Sequence, residues 1–198
     1  NEGAYVDISE AVALGRAIDV NTSTSADYLA AFNALETSIA VQVTSNQSID
    51  DWAINTDKRY TIDNMGYYLD QDHKVAACTG LEAENADVTD LVIPSTVRYN
   101  NVTYAVVALY DNRYDQNKVR TLTLPRTLRH INDWGLSDYR AITDLEIPAN
   151  VERMGDNVVN NCPQLQRIKV NAEVPPTLES LGSDSYYEDG YTAYRHLR

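Results

Sequence analysis

In the second half of the chain, apolar residues step two at a time, stop at a proline, and begin again. Leu122 and Leu124 lead into Pro125, and Leu145 and Ile147 into Pro148. Ile168 and Val170 repeat the step, and Leu91 and Ile93 precede Pro94. A two-residue step is the pattern of a strand with one face inward, and proline cannot continue the ladder of an interior strand. Each run therefore predicts a short strand that turns at its proline.

The segment after each proline also repeats. An inward apolar residue comes first (Val97, Leu128, Val151), then a second (Leu109, Ile131, Met154). After a polar turn come the pairs Gly135-Leu136 and Val158-Val159. A last anchor (Val119, Ile142, Leu165) leads into the next strand. Leu122, Leu145 and Ile168 lie 23 residues apart in turn, whereas Leu91 lies 31 before Leu122. The eight extra residues fall near Tyr99 to Val106, where Asn100-Asn101 between alternating residues predicts an inserted hairpin. A fixed period of this length is the mark of stacked repeats. The expected fold is α+β: a short β-solenoid of ~23-residue coils with parallel strands.

The motif LxIPxxVxxM/IGDxxVxNCxxL, best seen from Leu145 to Leu165, resembles the BspA-type leucine-rich repeat family, which is found mostly on the surfaces of anaerobic bacteria. The resemblance runs from about Tyr60 to Leu178. YTIDNMGYYLDQDHKVAAC looks like the β-hairpin cap that leads into such arrays, and NAEVPPTL like the degenerate unit that closes them. Trp134 to Tyr139 departs from the pattern by lacking the Asn-Cys pair. Leu136 and Val159 stand where the family often has Phe. The resemblance implies adhesion to host proteins, matrix or other cells, with no cofactor.

The first 55 residues read differently. Ile8, Ala11, Leu14 and Ile18 fall at helical spacing, as do Tyr28, Phe32, Leu35 and Ile39. Thr24 to Asp27 resembles a capping box with Asp for Glu, and DVNTSTS is a turn-rich break. We expect an N-terminal αα-hairpin and a polar linker over residues 1–55, then the repeat domain over 56–198 with its hairpin insert near 99–106. The helices either cap the array or form a separate spacer. The tail from Leu178 carries Tyr186, Tyr187, Tyr191 and Tyr194 among acids, and its abrupt end suggests a truncation, with a genuine terminus as the alternative. The chain starts at Asn1, not Met, and we expect that an upstream segment, a secretion signal, has been removed.

Charge separates the two modules. Residues 1–55 hold eight acids and one base, whereas 112–170 hold nine bases and seven acids. The whole chain carries −13, which disfavours nucleic acid as a partner. No apolar run reaches the ~18 residues of a membrane span. Stacking places outward residues in columns: Thr121, Asp144 and Arg167 form one, and Thr123, Glu146 and Lys169 another. Asp144 should face Arg167, and Glu146 should face Lys169. Cys78 and Cys162 lack metal spacing and are read as buried free thiols, with a disulfide as the alternative.

Candidate chemistry is thin. Asp111, Asp133 and Asp156 each follow an inward residue by two, and stacking would set neighbours roughly 5 Å apart, near the separation in retaining glycosidases. Aspartate here also caps the turn that every coil needs, and repetition favours that scaffold role over catalysis. A bound cation is a third reading of the column. His73, His130 and His196 share no ligand frame, and no nucleophile, P-loop or dinucleotide motif occurs. Tyrosine is more suggestive, with fourteen against a single phenylalanine. Tyr99, Tyr104, Tyr110 and Tyr114 surround the insert, where amphipathic rings suit either edge packing or a contact patch.

The expected function is a non-enzymatic secreted or cell-surface adhesion module, extracellular in location. Its partner would be a protein or glycan, met through Tyr99, Tyr104, Tyr110, Tyr114, Glu146 and Lys169. The alternatives are a carbohydrate-active enzyme using the Asp column and a structural spacer of a larger surface protein.

Overall fold

The computed structural model describes residues 9–45, 47–82, 87–111, 116–173 and 176–181. Expectations for Tyr114, His196 and the C-terminal tyrosines lie outside those residues.

Helices α1 (Ser9–Ala17) and α2 (Ser25–Ser45) come first and lie in contact. The predicted capping box starts α2. The Asp27 carboxylate accepts from the Thr24 amide at 2.6 Å, and the Asp27 amide donates back to the Thr24 hydroxyl at 3.4 Å. The Thr24 amide, and then the Thr24 hydroxyl, lower the Asp27 pKa. A 3-10 turn, Ile49–Asp51, connects to the strands.

Strands β1 (Arg59–Ile62), β2 (Met65–Asp70) and β3 (Val75–Leu81) form an antiparallel meander. Next come β4 (Asp90–Val92), β5 (Thr96–Tyr99) and β6 (Val102–Leu109), and then β7 (Thr121–Thr123) and β8 (His130–Ile131). The series ends with β9 (Asp144–Ile147), β10 (Arg153–Met154), β11 (Arg167–Val170) and β12 (Thr177–Leu178). The predicted insert is the β5–β6 hairpin. Its turn is Asn100-Asn101, at φ 48° and 60°, the two positive values a type I′ turn requires. Beyond the hairpin, β6 joins the larger sheet, pairing in parallel with β3 and β8.

Two walls face each other across one core. One is the large sheet β1-β2-β3-β6-β8-β10-β12, whose strands from β3 to β12 run parallel. The other consists of two parallel pairs, β4–β7 and β9–β11. Leu91 registers with Leu122 and Leu145 with Ile168. Almost every residue assigned inward is buried: Leu128, Ile131, Leu136, Ile142, Ile147, Val158 and Leu165 have no exposed surface. The exceptions are Ile168, which is half-buried, and Val170, 43% exposed, both on the last strand of that wall.

The second wall differs from the expected continuous row, because no ladder joins β7 to β9 and Leu122 is not a bonded rung beside Leu145. Proline accounts for part of the gap. The Asn171 amide donates to Ile147 O at 3.0 Å, but the equivalent position one coil earlier is Pro148, which has no N–H to give. Across the same gap the Asn150 side chain donates to Arg126 O at 2.7 Å, and the opposite wall stays bonded through β8 and β10.

The corners explain the Asn-rich turns. Trp134 and Asn157 sit at φ 60° and 53°, and Asp138 and Asn161 at 63° and 55°, each pair 23 residues apart. Asn and Asp tolerate this left-handed region better than most residues. Asp138 therefore does in its coil what Asn161 does in the next, and the Asn161 side chain donates to the Asp138 carboxylate. Tyr139, 23 before Cys162, fills that buried column where the sequence departs from the motif.

The helices dock through the smaller residues of α2. The Tyr28, Phe32, Leu35 and Ile39 stripe is 44–53% exposed, and Leu29 beside it is 58% exposed. The opposite side of α2, with the small residues Ala34, Ser38, Ala40 and Thr44, is the covered one. The sheet surface there is itself built of Val75, Ala77, Ala105, Val107 and Ala108, and small residues let the helix approach it closely.

Candidate binding surfaces

The N-terminal segment is tied down by two charged side chains. Arg129 on the large sheet is 7% exposed. It donates to Thr44 O and to Gln47 O (2.8 Å) at the C-terminal end of α2, pairs with Glu152 at 2.5 Å, and stacks 5.2 Å from the Trp52 ring. Carbonyls at a helix C-terminus attract a cation. Asp70, nearly fully buried, accepts from the amides of Ala53, Asp72 and His73 and from His73 Nδ1. Burial would raise its pKa, but these hydrogen bonds outweigh that effect and the net shift is downward.

A groove runs along the proline corners. Its widest part, about 840 Å3, lies between α2 and the first coils, with Phe32 on one side and Val92, Pro94 and Pro125 on the other. A second part, about 400 Å3, continues past Thr123, Leu124 and Arg126 to Glu146 and Pro148. A third, about 710 Å3, carries on through Ala149 and Asn171 to Arg129 and Glu152. Shared lining residues make these one band of mixed character, with Val92, Pro94, Leu124 and Pro148 beside threonines and the charged Glu36, Arg98, Arg126 and Glu146. The sequence pattern marked the prolines as strand ends. That they also line a trough was not visible in it.

Beside the groove lies the outward face of the strand wall. Asp144 meets Arg167 at 2.6 Å and Glu146 meets Lys169 at 3.0 Å, as the column alignment requires. Asn171 adds a donor to Glu146 at 2.6 Å. Hydrogen bonds from Asn171 and Lys169 and the Lys169 charge hold the Glu146 pKa down; for Asp144 the leading cause is the Thr143 hydroxyl.

Tyr99, Tyr104 and Tyr110 do not form one patch. Tyr104 is 3% exposed and belongs to the core, which corrects its assignment to a contact surface: its alternating position in β6 points it inward. Tyr99 is half-buried and packs on Tyr60 with centroids 4.7 Å apart, and Lys58 lies 4.9 Å above the Tyr60 ring. Tyr60 and Lys58 were missed by sequence reasoning, since only the β1 to β6 topology brings them beside the insert. Tyr110 sits elsewhere, 6.0 Å from Tyr68 over the small-residue face of the large sheet.

The chemical candidates fare as scaffold. Asp133 accepts from the amide of Asp156 at 2.8 Å, a bond to the next coil where the sequence suggested a cap on its own turn. Burial, then the nearby Asp138, raises the Asp111 pKa. No group of His, Cys, Asp or Glu among the described residues has the arrangement of a metal site. Cys78 and Cys162 are buried free thiols whose pKa values burial pushes up to about 11 and about 12, far from a reactive thiolate.

Three solved structures are similar at low identity. A leucine-rich repeat protein from Bacteroides capillosus shares 18% identity over 57% of this chain and 98% of its own, with a TM-score of 0.42. A leucine rich cell surface protein from Faecalibacterium prausnitzii shares 19% over 73% of this chain and 30% of its own, at 0.40. The pneumococcal vaccine antigen PcpA shares 13% over 61% and 40%, at 0.45. The chain thus spans under half the length of the last two. A search of curated proteins finds no match. The family model for the BspA type leucine rich repeat region matches residues 84–191 in six copies, more than half of the chain. With the repeating strand, proline and corner columns in place, this chain belongs to the BspA-type leucine-rich repeat family.

Proposed function

We propose that the protein is a non-enzymatic binding module displayed outside the cell, and that it holds an extended extracellular protein segment or glycan along the proline-corner groove. The strands then compose a short solenoid, with the β1–β3 meander covering its first coil and the α1–α2 hairpin walling the groove. The continuity of the groove across several coils carries this reading. A trough lined by both apolar and charged residues offers repeated, similar subsites, which suits a chain-like ligand better than a compact one. The strand wall beside it, where Glu146 and Lys169 are exposed, extends the contact surface, and Tyr99 with Tyr60 and Lys58 offers a second aromatic edge.

The test is a binding screen against matrix proteins and a glycan panel, with two groove variants in parallel. Thr123→Trp fills the trough and Arg126→Glu reverses a charge in its lining; each should weaken binding at least about tenfold. Binding that survives both changes, or no binding above background, rejects the groove. Glycan hydrolysis lost on replacing Asp133 and Asp156 with Asn would instead establish the enzymatic alternative.

A further inference from the structure

The exposed stripe on α2 is built for a partner of its own shape. Tyr28, Phe32, Leu35 and Ile39 succeed one another by four, three and four residues, the spacing of a coiled-coil seam. Exposing large side chains while burying Ser38 and half-burying Ala34 and Ala40 reverses the usual energetic preference, unless something covers the stripe. Because the docked side of α2 is the opposite one, the described fold leaves the stripe open.

We infer that α2 pairs antiparallel with α2 of a second copy of this chain, joining two helical pairs into a four-helix arrangement that leaves the repeat domains on opposite outer sides. Three observations select this occupant. The stripe is palindromic: turned end over end, Tyr28 comes level with Ile39 of the second copy and Phe32 with Leu35. The same operation sets both carboxylates of the helix, Asp27 and Glu36, level with alanines, Ala40 and Ala31. A parallel pairing would set each acid beside itself. Finally, the four stripe side chains and the neighbouring Leu29, each about half exposed, offer roughly 400–500 Å2 per copy, so the two copies together approach the ~1,000 Å2 of a specific interface. Phe32 also walls one end of the groove, so pairing would cover that end, but the inference rests on the stripe and not on a ligand in the groove.

Sedimentation and light scattering of the 198-residue chain test it. At micromolar to submillimolar concentration the mass should be twice the 22.2 kDa of one chain. Leu35→Glu should raise the dissociation constant at least about tenfold, with helical circular dichroism unchanged. Val170→Lys, an exposed change on β11, should leave it unaltered. Orientation is read separately. Tyr28→Cys chains mixed with Ile39→Cys chains should crosslink to each other on mild oxidation, whereas either alone should not. A monomer at every concentration, a dimer indifferent to Leu35→Glu, or crosslinking within the single-variant samples would overturn the inference.

Discussion

The carboxylate of Asp133 accepts a hydrogen bond from the backbone amide of Asp156, one coil further on. The first aspartate therefore caps the turn that begins at the second. Gly155 lies against this bond so closely that an added Cβ would come within 2.8 Å of the Asp133 amide nitrogen. Asp133→Ala should lower stability by about 1 kcal/mol in urea unfolding, the usual cost of a lost cap. Gly155→Ala should lower it by more, since backbone as well as side chain must move. Neither should affect ligand capture at the groove, and a loss of binding without a loss of stability would contradict the scaffold role.

Arg129 fastens the N-terminal helices to the repeats. Arg129→Ala removes two donors from the carbonyls of Thr44 and Gln47 and the cation over Trp52. Leaving buried carbonyls unpaired costs about 1–3 kcal/mol, so the expected total is roughly 2–4 kcal/mol. The loss should be local: amide exchange should accelerate from Ala40 to Ile54 while β8 and β10 stay protected. Uniform acceleration throughout would mean that the helices and the repeats unfold together.

The repeat was legible because its constraints are covalent and periodic. A proline such as Pro125 must end a strand, and a two-residue step must face Leu122 and Leu124 the same way. Once the period was fixed, the Asp144–Arg167 and Glu146–Lys169 contacts came from counting. The docking of α2 was not legible. Helical spacing shows that Tyr28, Phe32, Leu35 and Ile39 share a face, but the surface that face meets depends on residues distant in sequence. Here Ala77, Ala105 and Ala108 form a flat bed, and Arg129 and Asp70 fix which side of the N-terminal segment lies on it. The groove was hidden for the same reason. It is a gap between elements, and Phe32 lies about ninety residues from Pro125.

Acid should release the same N-terminal segment. Asp70 has a lowered pKa in the folded chain, so its contribution is complete above the unfolded value of about 4 and is lost as pH falls through the folded value. His130 adds a milder step at higher pH. Burial, then Arg153, lowers its pKa, so the unfolded chain takes up protons first and stability declines as pH drops below about 6.5. A melting-temperature profile should thus fall in two stages. His130→Gln should abolish the upper stage, and Asp70→Asn should flatten the lower one while lowering stability at neutral pH. A profile unchanged by His130→Gln would show that its ring titrates alike in both states.

The break between β7 and β9 has a cause that can be reversed. In the next coil Asn171 gives its amide to Ile147 O, whereas Pro148 has nothing to give to the coil before. Pro148→Asn restores a donor at that corner. The new hydrogen bond is worth about 0.5–1.5 kcal/mol, but relaxing the proline frees the unfolded chain by about 0.4–1 kcal/mol. The two effects nearly cancel, so the denaturation midpoint should barely move. Amide exchange separates them, because a bond formed in the folded wall slows local opening whatever happens to the unfolded state. Slower exchange along β9 at unchanged global stability is the expected result. Exchange as fast as in the native chain would mean that the gap is held open by the lengthened first coil, and not by the missing donor.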